Sequence, residues 1–274
     1  MHNINRDYSK YFYLTAIILI IVAFFVANVE INPQMANVSA IFIIALSLPC
    51  YAALILWLGW KKGLVTILIF SIYALVIETL AIITGFPYSP FDYTGLIGAK
   101  VFGYTPFTVP FAYVPLFLGC IYLAGKLTWL KEGEKRVRSI RSSKLLFIAA
   151  TAFLVLAADL VLDPAAVALN FWKYLWPGFF YGVPFLNFLG WILTGALASG
   201  LALLLLGPFL EKPQPTALVS SLFLILCFWS AVDLYLGLLV PGVIGVIFIA
   251  YILQTTQKRV GDFSNYFYLS KDQK

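Results

Sequence analysis

The stretch TALVSSLFLILCFWSAVDLYLGLLVPGVIGVIFIAYIL, residues 216–253, is the longest apolar run in the chain, and its reading decides the fold. A helix needs about 20 mostly apolar residues to cross the ~30 Å of hydrocarbon in a bilayer, so this run is too long for one crossing. Asp233, Gly237, Pro241 and Gly242 interrupt it. Proline removes a backbone donor and glycine loosens the helix, so the run divides into two helices, 216–235 and 238–254. Working outward, six more apolar runs lie at 11–29, 40–60, 64–84, 108–130, 144–162 and 185–207. The expectation is an all-α fold: a polytopic transmembrane helical bundle of about eight spans, forming a single integral membrane domain over 1–274.

Composition and charge agree. The chain has 274 residues, 62% hydrophobic and 11% charged, with a mean hydropathy of +0.94. A soluble domain carries about 25% charged residues. The net charge of +6 would suit a nucleic-acid partner if the charges were clustered for one. Instead, eight spans put sixteen of the 18 Lys and Arg on the side of the termini, with only Lys100 and Lys173 opposite; seven spans would leave twelve against six. Basic residues collect on the cytoplasmic side of a membrane. Both termini are therefore expected in the cytoplasm, with 131–144 a basic stop-transfer loop against lipid headgroups and no nucleic acid bound. The first run exceeds the apolar core of a cleaved signal peptide. Cys50, Cys120 and Cys227 lie in apolar runs and His2 is the only histidine, so neither a disulfide framework nor a metal site is expected.

The connections opposite the termini are unusual. Residues 85–107 and 163–184 are rich in Gly, Pro, Tyr, Phe and Trp, too apolar for solvated loops. Irregular backbone at membrane depth is tolerated only where it is buried in protein or lines a cavity. Both segments read as caps folded into the outer half of the bundle. They echo one another: Glu78 precedes a segment ending GYTPF (103–107), and Asp159 precedes one ending YGVPF (181–185). Internal repeats often place a site at their interface.

Five of the twelve acidic residues, Glu78, Asp92, Asp159, Asp163 and Asp233, belong to this outer half. An acid within a span costs roughly 2.5–3.5 kcal/mol on insertion scales, which makes each a functional-site candidate; the bland alternative is a helix tie through Tyr, Trp or Asn hydrogen bonds. Asp163 precedes Pro164, the pattern of an N-cap with proline at the first helical position, so it reads as the start of a short interfacial helix through Leu175. If the preceding helix runs on instead, Asp159 and Asp163 share a face at i, i+4.

A carboxyl group in a low dielectric can keep its proton at neutral pH and donate it to a weak base, even a carbon–carbon double bond. Aromatic faces would stabilise the resulting cation by about 2 kcal/mol per desolvated contact. The parts fit acid-initiated chemistry on an isoprenoid alkene, with no metal, nucleotide or redox cofactor required.

Two blocks sharpen this reading. One is Glu78 followed by TGFPYSPFDY (84–93), GAK (98–100) and VPFAY (109–113); the other is DLVLDP (159–164) continuing through Trp172, YGVP (181–184), Asn187-Phe188 and Gly190-Trp191. Together they resemble the carotenoid biosynthesis membrane protein family, of the gamma-carotene and bisanhydrobacterioruberin hydratase type. The resemblance implies a cofactor-independent hydro-lyase in the cell membrane that adds water across the terminal isopropylidene double bond of a linear carotenoid. It also implies membrane lipids and other carotenoid biosynthesis enzymes as partners. Mechanistically, Asp159 or Glu78 would deliver the proton, and Asp163, Asp92 or Asp233 would hold the attacking water. Tyr93, Lys100, Trp172, Tyr181, Asn187 and Trp191, all within the two blocks, are the expected substrate-binding residues.

Three rival readings stay open on sequence alone. A carotenoid cyclase begins with the same protonation but lets the cation meet the chain's own next double bond. A prenyltransferase would use the Asp159-x3-Asp163 pair on magnesium diphosphate, although such enzymes need a second acidic cluster. A non-enzymatic carotenoid carrier or transporter would use intramembrane acids as proton relays.

Overall fold

The computed structural model describes residues 7–128, 140–210 and 212–263, so most of the basic loop expected over 131–144 lies outside the described residues. Among the described residues eight α-helices run back and forth: α1 (Ser9–Asn28), α2 (Ala36–Leu58), α3 (Trp60–Thr84), α4 (Val109–Thr128), α5 (Ile140–Ala168), α6 (Phe185–Leu210), α7 (Ser220–Tyr235) and α8 (Leu239–Thr255). Seven are long and apolar enough to cross a bilayer, counting for α7 the 3-10 turn Thr216–Val219 that leads into it; α8, at 17 residues, is shorter. At 1.5 Å per residue α8 still spans ~25 Å. The long apolar run divides at Gly237, whose φ of +75° reverses the chain between α7 and α8.

Burial orders the helices into layers. Of the apolar window, 89% is buried in α7 and 72% in α4, against 17% in α1. Thus α7 and α4 form the centre and α1 faces outward. The two central helices approach closely where α4 carries Gly119: a Cβ there would sit 2.8 Å from the Leu222 side chain. α5 packs on α4, α6, α7 and α8, and α1 packs on α7. α2 contains Pro49, which deprives one carbonyl of its intrahelical donor. Beside it, the Ser221 hydroxyl of α7 accepts from the Cys50 backbone N–H at 3.0 Å and donates to the Ser47 carbonyl.

The described basic residues sort by end. Lys10, Lys61, Lys62, Lys126, Lys144, Lys212, Lys258 and Arg259 lie at the end of the bundle that carries the termini, and Lys100 and Lys173 lie at the other. At the terminal end, Arg259 pairs with Asp7 at 3.2 Å and Asp262 at 3.0 Å, clasping the two ends of the chain together.

The caps are more ordered than the sequence suggests. α3 stops at Gly85, left-handed at φ +77°, and the first cap then forms β1 (Phe91–Tyr93), β2 (Lys100–Val101) and β3 (Thr105–Pro106). The second cap holds β4 (Trp172–Tyr174), which pairs antiparallel with β1 in the register Phe91↔Tyr174, Asp92↔Lys173, Tyr93↔Trp172. The expected interfacial helix from Asp163 to Leu175 is therefore corrected. α5 continues through Pro164 to Ala168, and the chain after it is a strand. Tertiary contacts override the local proline signal: Val161, Ala165 and Ala166 are fully buried, and Asp163 is held by side chains of the second cap and α6.

Candidate active site

The β1–β4 ribbon determines which side chains reach the bundle. Successive strand residues point to opposite faces, so Asp92 and Lys173 face out while their neighbours on the ribbon turn inward. Tyr93 donates to Glu78 Oε1 at 2.5 Å. Trp172 Nε1 donates to Asp163 Oδ1 at 2.5 Å, and the Tyr174 hydroxyl donates to Asp163 Oδ2 at 2.7 Å. One short ribbon thus supplies donors to acids on two different helices, α3 and α5.

The helices complete the arrangement. Tyr113, one turn into α4, donates to Glu78 Oε2 at 2.5 Å. Asn187, in the first turn of α6, donates from Nδ2 to Asp159 Oδ2 at 2.9 Å and to Asp163 Oδ2 at 2.6 Å. Because α5 runs on as a helix, Asp159 and Asp163 stand one turn apart on one face, bridged by that amide. Glu78, Asp159, Asp163 and Asn187 are each no more than 3% exposed.

These four residues close one end of a cavity of about 260 Å³. Its walls are aromatic. Tyr113 lies against Trp191 with ring centroids 5.0 Å apart, Tyr93 against Trp172 at 5.7 Å, and Phe171 against Trp229 at 5.9 Å. Tyr88 covers Trp191 at 5.3 Å, and its hydroxyl is 3.0 Å from the Thr194 hydroxyl. The first cap can come this close because α6 has glycine at 190, where a Cβ would lie 2.6 Å from the Pro87 carbonyl oxygen.

Of the eleven residues expected from sequence, the cavity gathers Glu78, Asp159, Asp163, Tyr93, Trp172, Asn187 and Trp191. It does not gather the other four, so the expectation that Asp92 and Asp233 join the other acids at one site is corrected. Asp92 faces out on the ribbon, its side chain 73% exposed and ion-paired with Lys100 at 2.8 Å. Tyr181 lies at the tip of the second cap with its ring on Phe180. Asp233 is fully buried, but lies one turn beyond Trp229 and against Gly242 of α8, outside the cavity lining. Neither of its oxygens has a hydrogen-bond partner among the described residues.

Tyr113, Tyr174, Tyr88 and Trp229 belong to the site and were not singled out from sequence. Tyr174 follows Trp172 by two residues and shares its face only once 172–174 is known to be a strand. Tyr113 sits four residues after Val109, another cavity residue, at helical spacing.

A family model described as "Carotenoid biosynthesis protein" matches residues 34–252. Among curated proteins, the bisanhydrobacterioruberin hydratase of Haloarcula japonica is 37% identical over 151 residues. That alignment takes in 55% of this chain and 48% of the relative, so the chain spans about half the length of the curated protein it matches. No solved structure matches the chain.

Proposed function

The chain belongs to the carotenoid biosynthesis protein family, and from that premise we propose that it is a hydratase, adding water across the terminal isopropylidene double bond of a linear carotenoid. The observation that carries this reading is the pairing of an aromatic, apolar cavity with three carboxyl groups and an amide at its closed end. An alkene has no charge or hydrogen bond to offer, so a site for it needs apolar walls, one proton and one oriented water.

Hydrogen-bond counts suggest how the work divides. An ionised carboxylate only accepts, and a protonated one must also donate. Asp163 accepts from three donors and Glu78 from two phenols, the pattern of acceptor-only groups. Asp159 accepts from Asn187 on one oxygen and has the Trp191 indole N–H beside it, one donor fewer than Asp163, and its carboxyl lines the cavity. In our reading Asp159 carries the proton and delivers it to the less substituted alkene carbon. The tertiary cation forms among the rings of Tyr113, Trp191 and Trp172, with the negative charges of Asp163 and Glu78 nearby. Water adds to the cation, and its surplus proton returns to the Asp159–Asp163 pair. One proton leaves the pair and one comes back, so the net change is alkene plus water to tertiary alcohol.

The cyclase alternative begins with the same step. Hydration is favoured because Glu78, Asp163 and Asn187 surround the cation site with groups that hold water. Diphosphate chemistry is disfavoured because no Lys or Arg among the described residues lines the cavity. We place the bundle in the cell membrane with the lysine- and arginine-rich end, and so both termini, in the cytoplasm. Association with other enzymes acting on the same lipid-dissolved substrate belongs to this reading.

Incubating the purified protein with a linear isopropylidene-ended carotenoid in heavy-oxygen water tests the proposal. A tertiary alcohol carrying the label is expected. Unlabelled cyclic products would replace it with the cyclase, and unchanged substrate would leave a carrier.

A further inference from the structure

The closed polar end of the cavity has an open apolar counterpart. From the acids the cavity continues past Trp229 and Phe228 of α7 and along α2 from Val38 to Leu46, a run of about 12 Å at 1.5 Å per residue. It ends between α1, which contributes Val22 and Val26, and the start of α2. Both helices pack on α7 but hardly on each other. Of all the residues lining the cavity, the exposed ones are Met35 and Val38, 37% and 62% exposed, both at this mouth. The mouth has no charged side chain among its described lining residues and borders α1, the least buried of the candidate spans.

Size decides what this opening is for. At about 260 Å³ the cavity is smaller than the roughly 300–1,000 Å³ of sites that enclose a drug-sized ligand. A long polyene cannot fit inside, so whatever lies beyond its end group has to leave the protein. We infer that the gap between α1 and α2 is a lateral portal through which a linear polyene enters from the bilayer and stays threaded during reaction, its end group at the acids and its remaining length in lipid. This rests on the alkene reading above for its substrate and adds the route and orientation. It also makes the protein a reader of chain ends: any polyene is accepted whose terminal unit fits the aromatic chamber, whatever lies at its far end.

The test uses the full chain in lipid nanodiscs, with two readouts: quenching of tryptophan emission by a bound linear polyene, and product formation. Val38→Trp and Val26→Trp are built to fill the mouth, Val38→Ala to widen it, and Leu204→Trp serves as a control on an 85% exposed surface outside the cavity. The filled variants are expected to lose both polyene quenching and turnover by more than about tenfold, yet to hydrate a short alkene with the same isopropylidene end within about twofold of the parent. The Leu204→Trp control is expected to behave like the parent with both substrates, and the widened variant to admit the long polyene at least as readily as the parent. Retention of short-alkene turnover shows that the filled variants are folded; if both fail on it, the Val38→Ala protein must bind and turn over the long polyene at least as well as the parent. Undiminished quenching and turnover in the filled variants overturn the portal while leaving the hydratase reading intact. Polyene quenching that the filled variants abolish, with no hydration in the parent, upholds the portal and overturns the hydratase reading.

Discussion

Asp163 and Asp233 put the same functional group into the same kind of apolar helix, yet their surroundings are opposites. Asp163 has three donors brought to it, two from the second cap and one from α6, and looks into a cavity. Asp233 has no partner for either oxygen among the described residues and is sealed between α7 and α8. Burial alone therefore does not separate the acid that the proposed mechanism uses from the one that it leaves out. A built donor set beside an accessible space does, because pre-placed dipoles are what a charged intermediate needs.

The comparison can be broken in graded steps. The largest effect is expected from Asp163→Leu, which leaves Trp172 and Tyr174 without their acceptor and Asn187 with Asp159 alone. Product formation should fall more than about a hundredfold and unfolding stability by about 3 kcal/mol or more, measured by pigment analysis and a thermal melt in detergent. Asn187→Leu removes the bridge between the two aspartates but neither carboxyl, and should cost about ten- to a hundredfold in turnover with substrate binding retained. Tyr93→Phe and Tyr113→Phe each take one donor from Glu78, and a loss of about tenfold in rate is expected from either. A loss in the double variant that equals the single ones would show that the two phenols act as a unit. At the other pole, Asp233→Leu should keep turnover within about twofold and raise stability by about 1–3 kcal/mol, since it removes a buried group that has no partner. The smallest change belongs to Asp92→Asn, which breaks only an exposed ion pair and should move neither activity nor the melting midpoint.

Much of this was legible in the sequence. Eight helices follow from hydropathy, and the break near Gly237 follows from residues that helices tolerate poorly. Glu78, Asp159 and Asp163 stand out because carboxyl groups in apolar runs are costly. What sequence could not supply was the pairing of residues 91–93 with 172–174. Strands of three residues carry too little periodicity to be seen, and their pairing depends on where two distant caps fold. That ribbon turns Asp92 outward and Tyr174 inward, so the status of both was hidden. Asp163 was misread for a related reason: the proline after it signals a helix start, and only the donors gathered on its carboxyl, supplied from far along the chain, favour the continuous helix. Asp233 has the same local signature as the others, and its separation from them depends on how α8 folds back over α7.

The most direct test compares Asp159→Asn with Asp233→Asn, expressed to equal levels in a host that makes a linear isopropylidene-ended carotenoid, with the tertiary alcohol quantified per molecule of protein. Both changes replace one buried carboxyl by an amide of the same shape, which has no acidic proton to give. At least about a hundredfold less alcohol is expected from the Asp159 variant than from the Asp233 variant, which should match the parent. Equal yields, or a greater loss at Asp233, would contradict the proposed role of Asp159.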